Sequence, residues 1–370
     1  MNMVDRFKTG VSLLDRLSMG GFPKPSNVLI LGPPGVGKSI LCCQILYEGL
    51  KMGGSGVYIT LDEPEGEVVR VMESLGFDIA DFLDDKRFRI LESTPSNLAD
   101  LNNLNIELVN AIKGLKPGTD LRIIMDSLTS ILSLNVGDIR SCIEFVRTLN
   151  YRVKSLGASC FYSLNSQGFD QRIIALIEGI MDGVVEMRME EDVFPRFYLR
   201  ILKLKGVVHS RRWVRYRIDN QVGLVSYIPT VILAGPKGAG KKTLQNRFGS
   251  RRWRLGEVEV DVILCETFSS EVLKTIRYGE IDGFLLILDS SDIESLTEFM
   301  EIYEKLQDLR VPKVILANKQ DKPRALTPEN LKEELSIPDE IPVIGVSALT
   351  GEGLEKALRT LTSKIPGSPV

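Results

Sequence analysis

Twice in this chain a glycine- and lysine-rich octet stands between an apolar, β-rich run and a stretch that reads as helix. The first is GPPGVGKS, Gly32 to Ser39, preceded by Asn27 and VLIL. The second is GPKGAGKK, Gly235 to Lys242, preceded by Pro229 and TVILA and followed by Thr243. A strand–loop–helix passage of this composition is the setting of a phosphate-binding loop. Backbone N–H groups of the turn and of the helix N-terminus point at phosphate oxygens, and the lysine ammonium bridges the outer phosphates. Two such loops point to nucleoside triphosphate as ligand and to an α/β architecture that delivers each loop on a strand.

At 370 residues the chain has room for about two domains, each with its own core. A formal net charge of −3 gives no chain-wide reason to expect nucleic acid or an acidic membrane as partner. No N-terminal signal pattern and no apolar run long enough to span a bilayer is found, so a soluble cytoplasmic protein is expected. The five cysteines (Cys42, Cys43, Cys142, Cys160, Cys265) lack metal-ligand spacing and fall mostly in apolar stretches, as buried thiols do in a reducing cytosol. His209 is the only histidine, which excludes a multi-histidine metal site.

Between Asn27 and about Ile228, strand-like runs alternate with helical patterns. Strands are expected at Val28–Leu31, Val57–Leu61, Phe88–Leu91, Leu121–Met125, Ser159–Leu164 and Gly183–Met187. Helices are expected around Ser39–Lys51, Glu67–Leu75, Asn102–Gly114, Ile139–Leu156 and Ile173–Ile180. This alternation predicts a mainly parallel sheet with helices on both faces, closed by a hairpin-like tail over Phe197–Leu204 and Arg212–Ile218. The logic restarts at Thr230–Ala234, with strands at Val258–Leu264, Phe284–Leu288, Lys313–Ala317 and Val343–Val346. Helices follow the second loop, stand between Leu264 and Phe284, and run over Ile293–Leu306, Pro328–Leu335 and Leu354–Ser363. The expected domains are 1–228 and 229–370, two P-loop NTPase domains, the second a small α/β sandwich. They are not a tandem duplication, because the segments after the two loops diverge.

In the first domain the phosphate cradle comprises Gly32, Pro33, Pro34, Gly35, Val36, Gly37, Lys38, Ser39 and Ile40. Lys38 is expected to reach the outer phosphates and the Ser39 hydroxyl to ligate Mg²⁺. Asp126 ends the apolar strand LRIIMD, where a carboxylate holds the metal from the opposite side. Asp62 and Glu63 follow the strand Val57–Leu61 and so stand at a carboxyl strand end beside the loop, in the crevice where open α/β sheets bind ligands. Either carboxylate there orients or deprotonates the attacking water. Glu65 and Glu67 fit an acidic helix start.

The strings FKTGVSLLDRLSMGGF, GPPGVGKS, LDEPEGEVVRVMESLGF, MDSLTSIL and KLKGVVHS, in this order, give the run from Phe7 to about Tyr227 a resemblance to the KaiC-type ATPases of the RecA-like family. The resemblance implies ATP as ligand with Mg²⁺, a role in signalling or assembly control, and an archaeal or thermophilic prokaryotic source. That family pairs two Glu after the second strand, and here the pair is Asp62–Glu63, which leaves the identity of the base open. The resemblance also implies rings in which a basic pair reaches the neighbouring subunit's ATP. Lys203 and Lys205 of KLKG match that pair, with Lys where the second basic residue is usually Arg. An ordinary solvated strand face is the alternative. Ser166 and Gln167 match a position that senses the γ-phosphate.

In the second domain, Gly235, Gly238, Ala239, Gly240, Lys241, Lys242 and Thr243 form the loop, and VPKVILANKQDKPRAL carries Asn318, Lys319 and Asp321 directly after a strand. A carboxylate at Asp321 accepts from the guanine N1–H and N2 amine, groups that adenine lacks, while Lys319 packs along the base. Ser347, Ala348 and Leu349 supply a second base-contacting loop. AGPKGAGKKTL, ANKQD and SALTGEGL together resemble the Arf/Ras-type small GTPases, nearest the Arf branch, which implies GTP or GDP as ligand. The departures are as informative. The position after Lys241, normally a metal-binding Ser or Thr, is Lys242, and Thr243 comes one residue late. The strand Val258–Cys265 runs into Glu266-Thr267-Phe268 rather than the metal-side DxxG. Only about Gly249 to Glu257 separates the loop helix from that strand, too short for a full switch I plus its edge strand. No Gln stands where water would be oriented. The pattern keeps base recognition and loses switching chemistry, as in a pseudo-GTPase.

Two basic clusters remain. In SRRWVRYRI, Val214, Tyr216 and Ile218 alternate with Arg211, Trp213, Arg215 and Arg217. The second runs from Arg247 to Arg254 with Trp253. Basic residues interleaved with aromatics can grip a nucleic-acid backbone, but the acidic overall balance favours a solvated face or an interdomain or intersubunit surface. The leading expectation is therefore an ATPase whose ATP state controls assembly or binding of a protein partner, with the G domain as a regulatory module. A non-enzymatic nucleotide-sensing scaffold is the alternative, followed by a recombinase-like DNA-binding ATPase.

Overall fold

The computed structural model describes residues 5–93, 101–191, 195–266, 281–307, 309 and 311–368. They form two compact units, one holding residues up to Glu190 together with Pro195–Ser226, the other running from Tyr227 onward. Both are α/β units built on a P-loop strand, the fold class the sequence predicts.

The first unit carries a small antiparallel pair, β1 (Arg6–Phe7) and β2 (Phe22–Pro23), and a nine-stranded sheet. The strands of that sheet are β3 (Asn27–Gly32), β4 (Ser55–Thr60), β5 (Phe88–Glu92), β6 (Leu121–Asp126), β7 (Ser159–Asn165), β8 (Gly183–Glu190), β9 (Arg196–Leu204), β10 (Val214–Asp219) and β11 (Gly223–Ser226). Their order is β11-β10-β9-β8-β3-β7-β6-β4-β5. The pairs from β8 through β5 are parallel, and β9 to β11 continue as an antiparallel meander. The helices are α1 (Ser12–Leu17), α2 (Lys38–Lys51), α3 (Glu65–Ser74), α4 (Ala80–Asp84), α5 (Leu101–Lys113), α6 (Leu128–Leu134), α7 (Ile139–Ser155) and α8 (Gln171–Ile180).

Side chains of a strand point alternately to its two faces, and β3 shows what that does here. Val28 and Ile30 pack with Leu41, Cys42, Ile45 and Leu46 of α2, whereas Leu29 and Leu31 pack toward α5 to α8. Burial on both faces is why these strands read as unbroken apolar runs. The meander buttresses the first loop: Tyr216 Oη donates to Val36 O at 2.5 Å, and the Gln44 amide bridges Leu224 N and O at 2.8 and 3.2 Å. Arg122, a charge within β6, is 2 % exposed and satisfied by Asp120 at 2.9 Å and by the carbonyls of Lys8, Thr9 and Ile45. All five cysteines are buried free thiols.

The second unit has a six-stranded sheet of β12 (Thr230–Ala234), β13 (Arg252–Leu255), β14 (Val258–Cys265), β15 (Gly283–Asp289), β16 (Lys313–Asn318) and β17 (Val343–Gly345). Its order is β13-β14-β12-β15-β16-β17, parallel except for the edge strand β13. The described helices are α9 (Lys241–Phe248), α10 (Ile293–Leu306), α11 (Pro328–Glu334) and α12 (Leu354–Lys364), and cores lie on both faces of the sheet. The helix expected between Leu264 and Phe284 falls on residues outside the described ones.

The short stretch before β14 does hold an edge strand, β13, which leaves only Gly249–Arg251 for any switch I. Trp253 of this strand is buried and stacks on Phe248 at 4.3 Å. The aromatic of that basic cluster therefore belongs to the core and is not a stacking platform. No described helix is long and apolar enough to cross a membrane.

Candidate nucleotide-binding sites

The carboxyl ends of β3, β4, β6 and β7 meet at one cleft. Its wall includes Pro34, Lys38, Ser39, Thr60, Asp62, Glu63, Asp126 and Asn165. Gly37, at the start of α2, has φ 84°, a left-handed conformation that glycine adopts without strain. The loop turns there so that Lys38 can begin the helix. Lys38 Nζ donates to the carbonyls of Gly32 and Pro33 at 3.0 and 2.8 Å. Burial lowers its pKa, partly opposed by the negative charge of Asp126.

Asp126 is held from both neighbouring strands. Tyr58 of β4 donates its hydroxyl to Oδ2 at 2.6 Å, and Ser163 of β7 donates to Oδ1. Asp62 accepts from Ser127 at 3.0 Å and from Ser130. Glu63 is fixed through its backbone: its N–H donates to Thr60 Oγ1 at 3.2 Å, and that hydroxyl donates to Glu63 O at 2.6 Å.

The structure thus brings Lys38, Ser39, Asp62, Glu63 and Asp126 together. Ser39 and Asp126 offer hard oxygen donors, the chemistry that Mg²⁺ requires. Sequence reasoning missed Tyr58, Thr129, Ser163 and Asn165, which also line the cleft. For Tyr58 and Ser163 the available signal was a polar group inside a strand-like apolar run; Thr129 and Asn165 lie outside the expected strands.

Gln167, matched to a γ-phosphate-sensing position, stands outside the cleft, and Lys203 and Lys205, expected to reach a neighbouring subunit's ATP, stand away from their own loop. Gln167 is not among the lining residues; its N–H donates to the Asn165 side chain at 2.9 Å, while Ser166 N–H donates to Gly32 O at 3.1 Å. Lys203 and Lys205 lie at the end of β9 that pairs with the start of β8, the opposite end of the sheet from Gly32. Lys203 Nζ donates to Glu178 O at 2.7 Å, and Lys205 faces Asp182 at 3.7 Å. Their contacts are with Glu178 and Asp182 and not with their own chain's P-loop. Burial, with help from Lys205, lowers the pKa of Lys203.

In the second unit Asn318 joins the loops that the sequence predicted to converge. Its Nδ2 donates to Ala239 O at 2.6 Å, and its Oδ1 accepts from Ala348 N at 2.8 Å. A side chain on Gly240, at φ 110°, would run into the Asn318 amide. Ser347 donates to Asp321 Oδ1 at 2.6 Å. Lys319, at φ 68°, pairs with Asp289 at the end of β15, a contact sequence reasoning did not foresee. Burial opposes ionisation of Asp289, but the Lys319 ammonium and the Ser291 donors outweigh it and hold its pKa below the usual carboxylate range. Leu349 is 71 % exposed.

Lys241 Nζ donates to the Gly235 and Pro236 carbonyls, as Lys38 does in its own loop, and burial lowers its pKa. Lys242 faces Glu266 at 3.8 Å. Arg247 donates to the carbonyls of Leu349 and Thr350 at 2.9 and 2.6 Å, so this member of the basic cluster braces the loop that follows Ser347. In the other cluster, Arg188 and Arg200 stack over Trp213 at 4.3 and 4.5 Å.

Comparison with known proteins follows the same division. The profile of the family described as ATPase: KaiC matches residues 7–230, and that of the ADP-ribosylation factor family, Arf, matches residues 274–365. The Arf match begins beyond β14, so the loop carrying Lys242 and the strand end carrying Glu266 lie outside it. A UPF0273 protein of Thermotoga maritima is 27% identical over 242 residues, covering 61% of this chain and 97% of its own length. The circadian clock protein KaiC3 of Synechocystis is 27% identical over 234 residues, 60% of this chain and 45% of that one. The crystal structure of a KaiC-like protein from Pyrococcus horikoshii superposes with a TM-score of 0.52 at 26% identity, covering 61% of this chain and all (100%) of the other.

Proposed function

The chain belongs to the KaiC family of ATPases, its KaiC-like domain fused to an Arf/Ras-like small GTPase domain, and on that premise we propose that the first unit binds and hydrolyses ATP. The observation that carries the proposal is the convergence of Lys38, Ser39, Asp126 and Glu63 on one cleft. Lys38 neutralises the outer phosphates, moving to them from the loop carbonyls it caps. Ser39 and Asp126 hold Mg²⁺, with Tyr58 and Ser163 orienting the Asp126 carboxylate. The ion, when bound, offsets charge on the phosphate oxygens.

Glu63 takes the proton of a water aligned with the terminal phosphoryl group, yielding ADP and inorganic phosphate. The loop residues Gly32 to Ile40 supply the backbone cradle. Lys203 and Lys205 lie far from their own loop and act on a neighbouring copy's ATP in a homo-oligomeric ring. The experiment is phosphate release from ATP by the intact chain and by Lys38→Ala. Turnover abolished in the variant supports the reading, and turnover unchanged would defeat it.

The second unit, on this reading, binds a guanine nucleotide and hydrolyses it slowly or not at all. Asn318 fixes the two base loops, Asp321 reads the guanine edge, and Lys319 lies along the base, steered by Asp289. With only Gly249–Arg251 between α9 and β13, the segment before β13 is too short to reach the γ-phosphate as a switch I. Binding of GDP in preference to ADP, lost in Asp321→Ala, is the corresponding test. Guanine-nucleotide occupancy then regulates or docks a protein partner of the ATPase.

A further inference from the structure

Small GTPase folds hold Mg²⁺ through a Ser or Thr after the P-loop lysine and a carboxylate beyond the next strand. Here Lys242 fills the first place and Glu266 follows β14 in the second. The two side chains face one another across 3.8 Å, and both line the cleft shared with Lys237, Lys241, Thr243 and Glu298. An ammonium has three donors and no lone pair, so Lys242 cannot ligate a cation and repels one. Mg²⁺ requires a near-octahedral set of oxygen ligands, and here the hydroxyl that would supply one of them is replaced by an ammonium. Among the described residues, the pair at these two places does not fit the ion.

They fit the phosphates instead. Lys242 is 81 % exposed, so its ammonium can swing from Glu266 onto a phosphate oxygen without unmaking any packing. An exposed pair of this kind contributes little to stability, so its significance is the sign and position of charge in the cleft. We propose that the second unit holds its guanine nucleotide without magnesium, Lys242 supplying the positive charge that the ion supplies in other small GTPase folds. Glu266 parks the ammonium beside the loop. The inference rests on the reading above that this unit binds guanine nucleotide.

The experiment is equilibrium binding of a fluorescent GDP analogue to the full chain carrying Lys38→Ala, in excess magnesium and in excess EDTA. The dissociation constant is expected to agree within about twofold between the two conditions, a difference small beside the tenfold that one strong contact gives. Lys242→Thr, at an exposed position, weakens binding in EDTA by roughly 10- to 100-fold, the scale of a lost charge-assisted hydrogen bond. Lys242→Arg retains it. Binding by the Lys38→Ala chain that falls about tenfold or more in EDTA would overturn the proposal and place the ion on other groups, Thr243 first. An unchanged affinity of Lys242→Thr in EDTA would overturn it too. Binding under neither condition would defeat the nucleotide-binding reading itself, an outcome distinct from magnesium-dependent binding.

Discussion

Ser127 donates its hydroxyl to Asp62 at 3.0 Å, and Ser130 donates to the other oxygen of the same carboxylate. Ser127 follows Asp126 directly and Ser130 lies in the first turn of α6, so the two contacts tie the loop after β4 to the segment that leaves β6. A carboxylate that already accepts two hydroxyls is suited to hold that loop. Glu63 stands beside it on the same cleft, and among the described residues its carboxylate has no hydrogen bond or ion pair. On this account Glu63 moves the proton and Asp62 positions the loop that carries it.

Glu63→Gln is therefore expected to lower kcat for ATP by about 10²- to 10⁴-fold, the range of a lost general base, with little change in KM. Asp62→Asn costs roughly tenfold, the scale of a weakened charge-assisted hydrogen bond. Steady-state phosphate release separates the two. A larger loss for Asp62→Asn would reverse the assignment.

Tyr58→Phe removes the 2.6 Å hydrogen bond to Asp126 while leaving the ring in the core. Loss of such a partner to a metal-side carboxylate costs about 10- to 100-fold in metal affinity or activity. The expected outcome is a shift of the magnesium dependence of ATP turnover to higher concentration. A magnesium titration checks it.

Asn318 is 1 % exposed and satisfies Ala239 O and Ala348 N at once. Asn318→Ala strands both buried backbone groups, so a loss of about 2–4 kcal/mol from the second unit follows. Trp253 is buried in this unit, and Trp213 lies in the other. Urea unfolding followed by Trp253 fluorescence in a Trp213→Phe background measures the second unit alone.

Asp289 has its folded pKa held below the ordinary value, since Lys319 and Ser291 outweigh its burial. The unfolded chain then binds the proton more tightly than the folded one. The stability from this ion pair is fully present above the unfolded carboxylate value of about 3.9 and is lost as pH falls through the folded value. The stability difference between the unmodified chain and Asp289→Asn is expected to be constant from pH 7 to about 5 and to shrink below about 4. Unfolding midpoints at stepped pH check the sign.

The loops, Asp126 and Asn318–Asp321 were legible in the sequence because each chemistry fixes residue types at set spacings within one segment. The long apolar strands were legible for a similar reason, since burial on both faces favours apolar residues at most positions. What escaped was contact across strands. Tyr58 and Ser163 sit in β4 and β7, the neighbours of β6, and meet Asp126 only once the order β7-β6-β4 is known. The Lys319–Asp289 pair likewise requires β15 and β16 to be adjacent. Helices α1 and α4, with six and five residues, are too short for helical periodicity to register. The edge strand β13 was hidden by its arginines, because an edge strand has one face in water.

Phosphate release from ATP and from GTP decides whether the chain is an ATPase joined to a guanine-nucleotide reader. The chain, Lys38→Ala and Lys241→Ala are compared side by side. The account predicts ATP turnover that vanishes in Lys38→Ala and survives in Lys241→Ala, with GTP turned over slowly or not at all. Robust GTP turnover that is lost in Lys241→Ala, or ATP turnover that persists in Lys38→Ala, would contradict it.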